Sequence, residues 1–286
     1  MRVKASPYRQ VSRFRPDAQA SAATVAAVAT NDSARLRYPV VLPLWFHQLA
    51  SPPYIYRLAE RLSPWLAWAS LIVIIAGLYG GLWLAPPDYQ QGDGFRIIYV
   101  HVPSAWMSLF IYVVMAVAAA IGLIWRMKLA HAVSAAAAPL GAAFTFLALV
   151  TGSFWGKPMW GTYWVWDARL TSELVLLFLY FGYLALHRAF EDQRSGDRAG
   201  AILALVGIVN VPIIHYSVKW WNTLHQGPTV FFGARADIAP SMYIPLFIMI
   251  IGFMLYFAAF VLKRLQVEIL SRERHTAWVQ ALVEKP

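Results

Sequence analysis

A chain of 286 residues with 59% hydrophobic and only 13% charged positions carries about half the charge of a soluble domain, which holds about 25%, so an ordinary water-soluble enzyme is excluded. It has no cysteine, which removes disulfides, thiolate nucleophiles, cysteine zinc sites, iron–sulfur clusters and haem attached through its own thiols. A formal charge of +10 would suit nucleic acid, but the placement of the basic residues along the chain argues otherwise.

Residues 1–43 are expected to be a disordered cytoplasmic N-terminal extension. The stretch AQASAATVAAVATNDSA is poor in bulky side chains and cannot bury enough apolar surface to fold alone. No compact apolar run follows the early Arg and Lys residues, as a secretory leader would require. From about Leu44 to Pro64 aromatic and basic residues mix, a composition that suits a segment lying at a membrane surface.

Six stretches then reach the roughly 20 apolar residues needed to cross a bilayer. They are predicted at Pro64–Ala85, Pro103–Trp125, Ala132–Ser153, Ala168–Leu186, Ala199–Val218 and Ser241–Leu262. In hydrocarbon each must be helical, because only a helix satisfies its own backbone polar groups. Pro103 suits the first turn of the second span. Ala138 and Ala142, one turn apart in the third, allow another helix to approach closely. The fold class expected is therefore an all-α integral membrane protein, a six-transmembrane-helix bundle. Its parts are a membrane domain over 44–263 and a cytoplasmic C-terminal tail over 264–286.

Orientation follows from the cations. Of the 24 Lys and Arg residues, 19 fall in the N-terminal segment, the loops at 126–131 and 187–198, and the stretch from Lys263 to the C-terminus. The positive-inside rule then predicts that both termini are cytoplasmic and that short loops at 86–102, 154–167 and 219–240 face outward. This placement assigns the basic residues to orientation and to anionic lipid, not to nucleic acid.

The outward loops are dense in aromatics. The middle one reads FWGKPMWGTYWVWD and holds Trp155, Trp160, Trp164 and Trp166. The last adds Trp220 and Trp221. Single tryptophans at such depths ordinarily form an interfacial belt. Four in one loop instead make an apolar surface able to hold a planar ligand, each ring adding about 1 kcal/mol beyond its buried area.

Two of the seven histidines sharpen this reading. His101, in YVHVP, and His215, in VPIIHYS, sit at similar outer depths on different spans. They are the candidate axial ligands of a haem iron, the alternative being ordinary packing histidines, and His225 in the third loop is the reserve. Arg96 and Arg169 are suited to pair with haem propionates, whereas Lys157 and Lys219 suit headgroup contact. Asp167 directly precedes the fourth span and is expected to cap it. Glu173 is expected to pair with Arg169 one turn away. The central depths of the spans lack Asp, Glu, Lys and Arg, and no nucleotide-binding sequence occurs, which argues against pumps, proton-coupled carriers and ATPases.

WGTYWVWDARLTSEL resembles the tryptophan-rich signature of membrane haem-handling proteins of cytochrome c maturation. RIIYVHVP and NVPIIHYSVKWWNTLHQG narrow the resemblance to the haem exporter protein C family, from Leu44 to the end of the sixth span. The resemblance implies a bacterial inner-membrane protein, not an enzyme, that holds haem b as transient cargo on its periplasmic side. It implies His101 and His215 as the two essential histidines, and a signature of Trp155, Trp160, Trp164, Trp166 and Asp167. The implied partners are a periplasmic haem chaperone, ABC-type ATPase and permease subunits, and a small single-span subunit. Two other functions fit the same residues: a haem transporter across the bilayer, or a chaperone-docking scaffold without haem of its own.

Overall fold

The structure is a computed structural model that describes residues 50–225 and 238–284. The expected extension at 1–43, the start of the surface segment and His47 lie outside the described residues. Among the described residues every regular element is helical. Helix α1 is Pro52–Tyr79 and runs on as a π turn, Gly80–Leu84. A short 3-10 turn, Asp93–Ile97, leads into α2, Ile98–Trp125. Then follow α3 (Lys128–Trp160), α4 (Ala168–Arg188), α5 (Gln193–Gly207), α6 (Asn210–Trp220), α7 (Pro240–Arg272) and α8 (Ala277–Val283). Six of these segments are long and apolar enough to cross a membrane, α5 and α6 together forming the fifth. The protein is thus a multi-pass membrane protein, as its composition implies.

The bounds differ from the predicted ones for identifiable reasons. Pro64 and Pro103 lie inside α1 and α2 and do not open them, because flanking helix and neighbouring side chains keep the backbone satisfied around a proline in a span. The α3 helix continues to Trp160, so Trp155 and Trp160 are helical and the middle loop shrinks to 161–167. Gly161 stops that helix with φ 77°, a left-handed conformation that glycine adopts without a Cβ penalty. The α5–α6 junction falls at Ile208, the residue whose carbonyl would have bonded the N–H that Pro212 lacks. There Val211 N donates to Ile208 O at 3.0 Å instead. At the far end α7 runs to Arg272, well into the expected tail.

Small residues set the close packing between helices. Gly77 and Gly252 bring α1 and α7 together, against Met249 and Ile74 respectively. Gly207 on α5 faces Tyr112 on α2, and Gly141 on α3 faces Tyr180 on α4. Ala138 and Ala142 are both buried beside Gly141. A Cβ at Gly141 would collide with the Tyr180 ring. That ring has nowhere to go: its hydroxyl donates to Ser108 O at 2.7 Å and its edge meets Tyr112 at 5.2 Å. Gly141→Ala is therefore expected to destabilise by about 1–3 kcal/mol, the usual overpacking range, seen as a lower melting temperature in detergent. A variant melting with the parent protein would contradict this packing.

The two ends of the bundle have different chemistry. At one end Asp197 on α5 takes Arg272 of α7 in a two-pronged grip, Nη1 to Oδ2 at 2.7 Å and Nη2 to Oδ1 at 2.9 Å. His187 Nε2 lies 2.9 Å from the same Oδ1, so α4, α5 and α7 are pinned together. Beside them Asp192 caps α5, and hydrogen bonds from Ser195 and Arg194 hold its carboxyl below the usual carboxylate range. The opposite end gathers the aromatic loops and is called the rim below.

Candidate functional site

The rim is tied together by backbone and side-chain bonds. Arg96 Nη1 donates to Gly81 O at 2.8 Å, and its Nε to Asp93 Oδ1 at 2.8 Å, which fixes the entry to α2 against the end of α1. Asp167 accepts from Leu170 N at 2.8 Å, the expected cap of α4. Ser153 Oγ donates to Tyr163 O at 2.7 Å and folds the tryptophan-rich loop back onto α3. Lys157 Nζ donates to Gly161 O at 3.0 Å and lies 5.3 Å from the centre of the Tyr163 ring, so this cation closes the α3 C-terminus.

The expected Arg169–Glu173 pair does not form. Arg169 Nη1 reaches across to Ile214 O on α6 at 3.0 Å, and Glu173 Oε1 accepts from Ser108 Oγ on α2 at 2.8 Å. Each side chain is turned toward a different neighbouring helix, which an i,i+4 rule for an isolated helix does not contain.

The signature tryptophans divide into two groups. Trp155 is half-buried, donates Nε1 to Gln91 Oε1 at 2.8 Å, and meets both Phe95 (5.9 Å between ring centres) and His101 (5.6 Å) edge-on. Trp160 lies one turn further on, 6.4 Å from the ring of His225. Trp164 and Trp166 pack on each other at 5.4 Å. Trp166 is 76% exposed, and with the exposed Trp220 and Trp221 it gives this end a broad aromatic surface.

The rings of His101 and His215, paired in the sequence reading, are not in direct contact. His101 is buried at the start of α2. His215 is exposed and its ring packs on Tyr216, 4.7 Å away. Equal depth along two helices leaves the direction of each side chain open. On α6 the inward positions are Ile214 and Ser217, and His215 lies about 100° around the helix from Ile214. The ring that faces His101 is that of His225, with centres 6.4 Å apart and planes inclined at 37°.

That separation can be tested against the ligand. A transition-metal–imidazole bond is about 2 Å, so two imidazoles on opposite sides of one metal have ring centres roughly 6–6.5 Å apart. The observed 6.4 Å falls in that range. The surroundings fit as well: a Cβ at Gly152 would come within 2.9 Å of His101 Cε1, so the histidine ring occupies space that only glycine leaves. Thr151 Oγ1, on the preceding residue, lies 3.0 Å from His101 Nδ1. His101 and His225 thus form a candidate pair, with Trp155 and Trp160 beside them.

Residues 45–280 match the family model described as Heme exporter protein C. The chain is 57% identical over 239 residues to Heme exporter protein C of Escherichia coli (strain K12), an alignment covering 84% of this chain and 96% of that protein. With Heme exporter protein C of Bradyrhizobium diazoefficiens it shares 51% over 224 residues, 78% and 85% of the two chains. With a putative cytochrome c biosynthesis ccmC-like mitochondrial protein of Marchantia polymorpha it shares 47% over 195 residues, 68% and 82%.

Proposed function

The chain belongs to the Heme exporter protein C family, and from that premise we propose that it binds haem b at the rim and delivers it to a haem chaperone during cytochrome c maturation. The supporting observation is the facing pair of imidazoles, His101 and His225, set beside a bed of indoles. In this reading His101 and His225 supply the axial nitrogens, and His225 takes the place first given to His215. Trp155 and Trp160 flank the macrocycle. Trp164 and Trp166, with the half-buried cap Asp167, form the neighbouring face on which the chaperone takes up its cargo. Arg96 and Arg169 each spend a donor on a backbone carbonyl and keep further guanidinium N–H groups for the propionates.

The haem is cargo, and the protein's part is to bind and orient it. Ligation by two neutral imidazoles holds it reversibly, and burial of its flat face against indoles adds apolar stabilisation. The rim faces the periplasm and the Asp197–Arg272 end faces the cytoplasm of a bacterial inner membrane, in line with the distribution of Lys and Arg. ATP-driven steps belong to partner subunits of the ABC type and their small single-span companion, since this chain carries no nucleotide-binding sequence.

The experiment is a haem titration of the purified protein in lipid nanodiscs. Saturation at one haem per chain, with the low-spin spectrum of two nitrogen ligands, is expected. Absence of saturable binding would overturn the proposal in favour of a docking scaffold.

A further inference from the structure

The hydrogen bonds around Thr151 carry an inference that rests on the haem reading above and deepens it. Thr151 has a single hydroxyl hydrogen. Its Oγ1 lies 2.6 Å from Leu147 O and 3.3 Å from Ala148 O, both of which only accept. The first distance is that of a good O–H···O bond, and the 3.0 Å to His101 Nδ1 is that of an N–H···O bond. With the hydroxyl hydrogen spent on Leu147, Oγ1 offers His101 a lone pair. Such a lone pair is satisfied by Nδ1–H and by no other arrangement of a neutral imidazole.

We propose that Thr151 is a positioning residue that fixes His101 in the Nδ1-protonated tautomer, so that the Nε2 lone pair is ready to bind the haem iron. Two features keep the ring in place while the hydroxyl acts. Gly152 gives it room, and Trp155 stands edge-on at 5.6 Å, itself held by Gln91. A hydrogen bond from the outer nitrogen also makes the inner nitrogen a stronger donor. That preference favours ferric over ferrous iron, since a more basic ligand stabilises the higher charge.

The test begins on haem-free protein labelled with ¹⁵N-histidine, reconstituted in bilayers and read by solid-state NMR, the His101 signals being assigned by their loss in His101→Ala. The parent protein should show Nδ1 protonated and Nε2 bare. Thr151→Val, equal in shape but without the hydroxyl, should weaken this preference, leaving only the Ala148 carbonyl to accept from the ring, and Thr151→Ser should restore it. In haem titrations Thr151→Val should bind about tenfold more weakly, the lower end of what loss of a supporting partner costs at a metal site. The midpoint potential of its bound haem should rise, a readout that a merely structural role would leave unmoved. A parent protein protonated at Nε2 overturns the assignment. So does a valine variant whose tautomer, affinity and potential all match the parent, provided His101→Ala still abolishes binding. Full haem binding by His101→Ala would instead remove the ligand reading, and this inference with it.

Discussion

Replacing either His101 or His225 with alanine is expected to strip the purified protein of haem, while His215→Ala keeps a Soret band at the parent stoichiometry. Loss of a supporting partner at a metal site costs about 10–100-fold in affinity, and loss of an axial nitrogen itself should cost at least the upper end of that range. The three variants separate competing geometries. If His101 and His215 were the pair, His215→Ala would be the damaging one and His225→Ala would be nearly silent. His215 is exposed and packs on Tyr216, whereas His225 lies 6.4 Å from His101 between ring centres, and the proposal rests on the second pair. Retention of haem by all three variants would show that none of these histidines is needed to hold it and would overturn the axial assignment.

The second large effect lies at the other end of the molecule and concerns stability. Arg272 and Asp197 form a two-pronged pair with side chains only 10% and 9% exposed, and Glu268 Oε2 stands 3.5 Å from Arg272 Nε. Asp197→Ala leaves a guanidinium buried without its main partner, and removing one member of such a pair costs about 3–5 kcal/mol. It also strips His187 of its bond to Oδ1, loosening α4 from α5. A markedly lower melting temperature in detergent is expected, with little change in the spectrum of whatever haem remains bound. The double variant Asp197→Leu/Arg272→Met should recover much of the loss, since replacing both charges removes the desolvation cost together with the attraction. A single variant as stable as the parent protein would show that the pair contributes nothing.

The sequence made the six spans legible because bilayer thickness imposes a length on every span. Hydropathy does not report where a helix ends once it leaves the hydrocarbon. The continuation of α3 through Trp160 and of α7 to Arg272 was therefore hidden. At the rim, residue type and depth made His101 and the tryptophans candidates and predicted the Asp167 cap. Azimuth was not available: whether His215 or His225 faces His101 depends on how α6 is rolled and on where the chain goes after Trp220. Thr151, Gln91 and Gly152 went unnoticed for a related reason. A threonine, a glutamine and a glycine carry no chemical signal until the fold sets them against His101 and Trp155. The reserve place given to His225 was the nearest hint, since it sits in the same aromatic loop as Trp220 and Trp221.

The central claim, that one iron sits between the imidazoles of His101 and His225, is tested most directly by an experimental density map of the haem-loaded protein in lipid. The account expects planar density at the rim with its metal within bonding distance of a nitrogen from each of these two rings, and Trp155 and Trp160 against the macrocycle. Density centred instead on His215, or at the Asp197–Arg272 end, would contradict it.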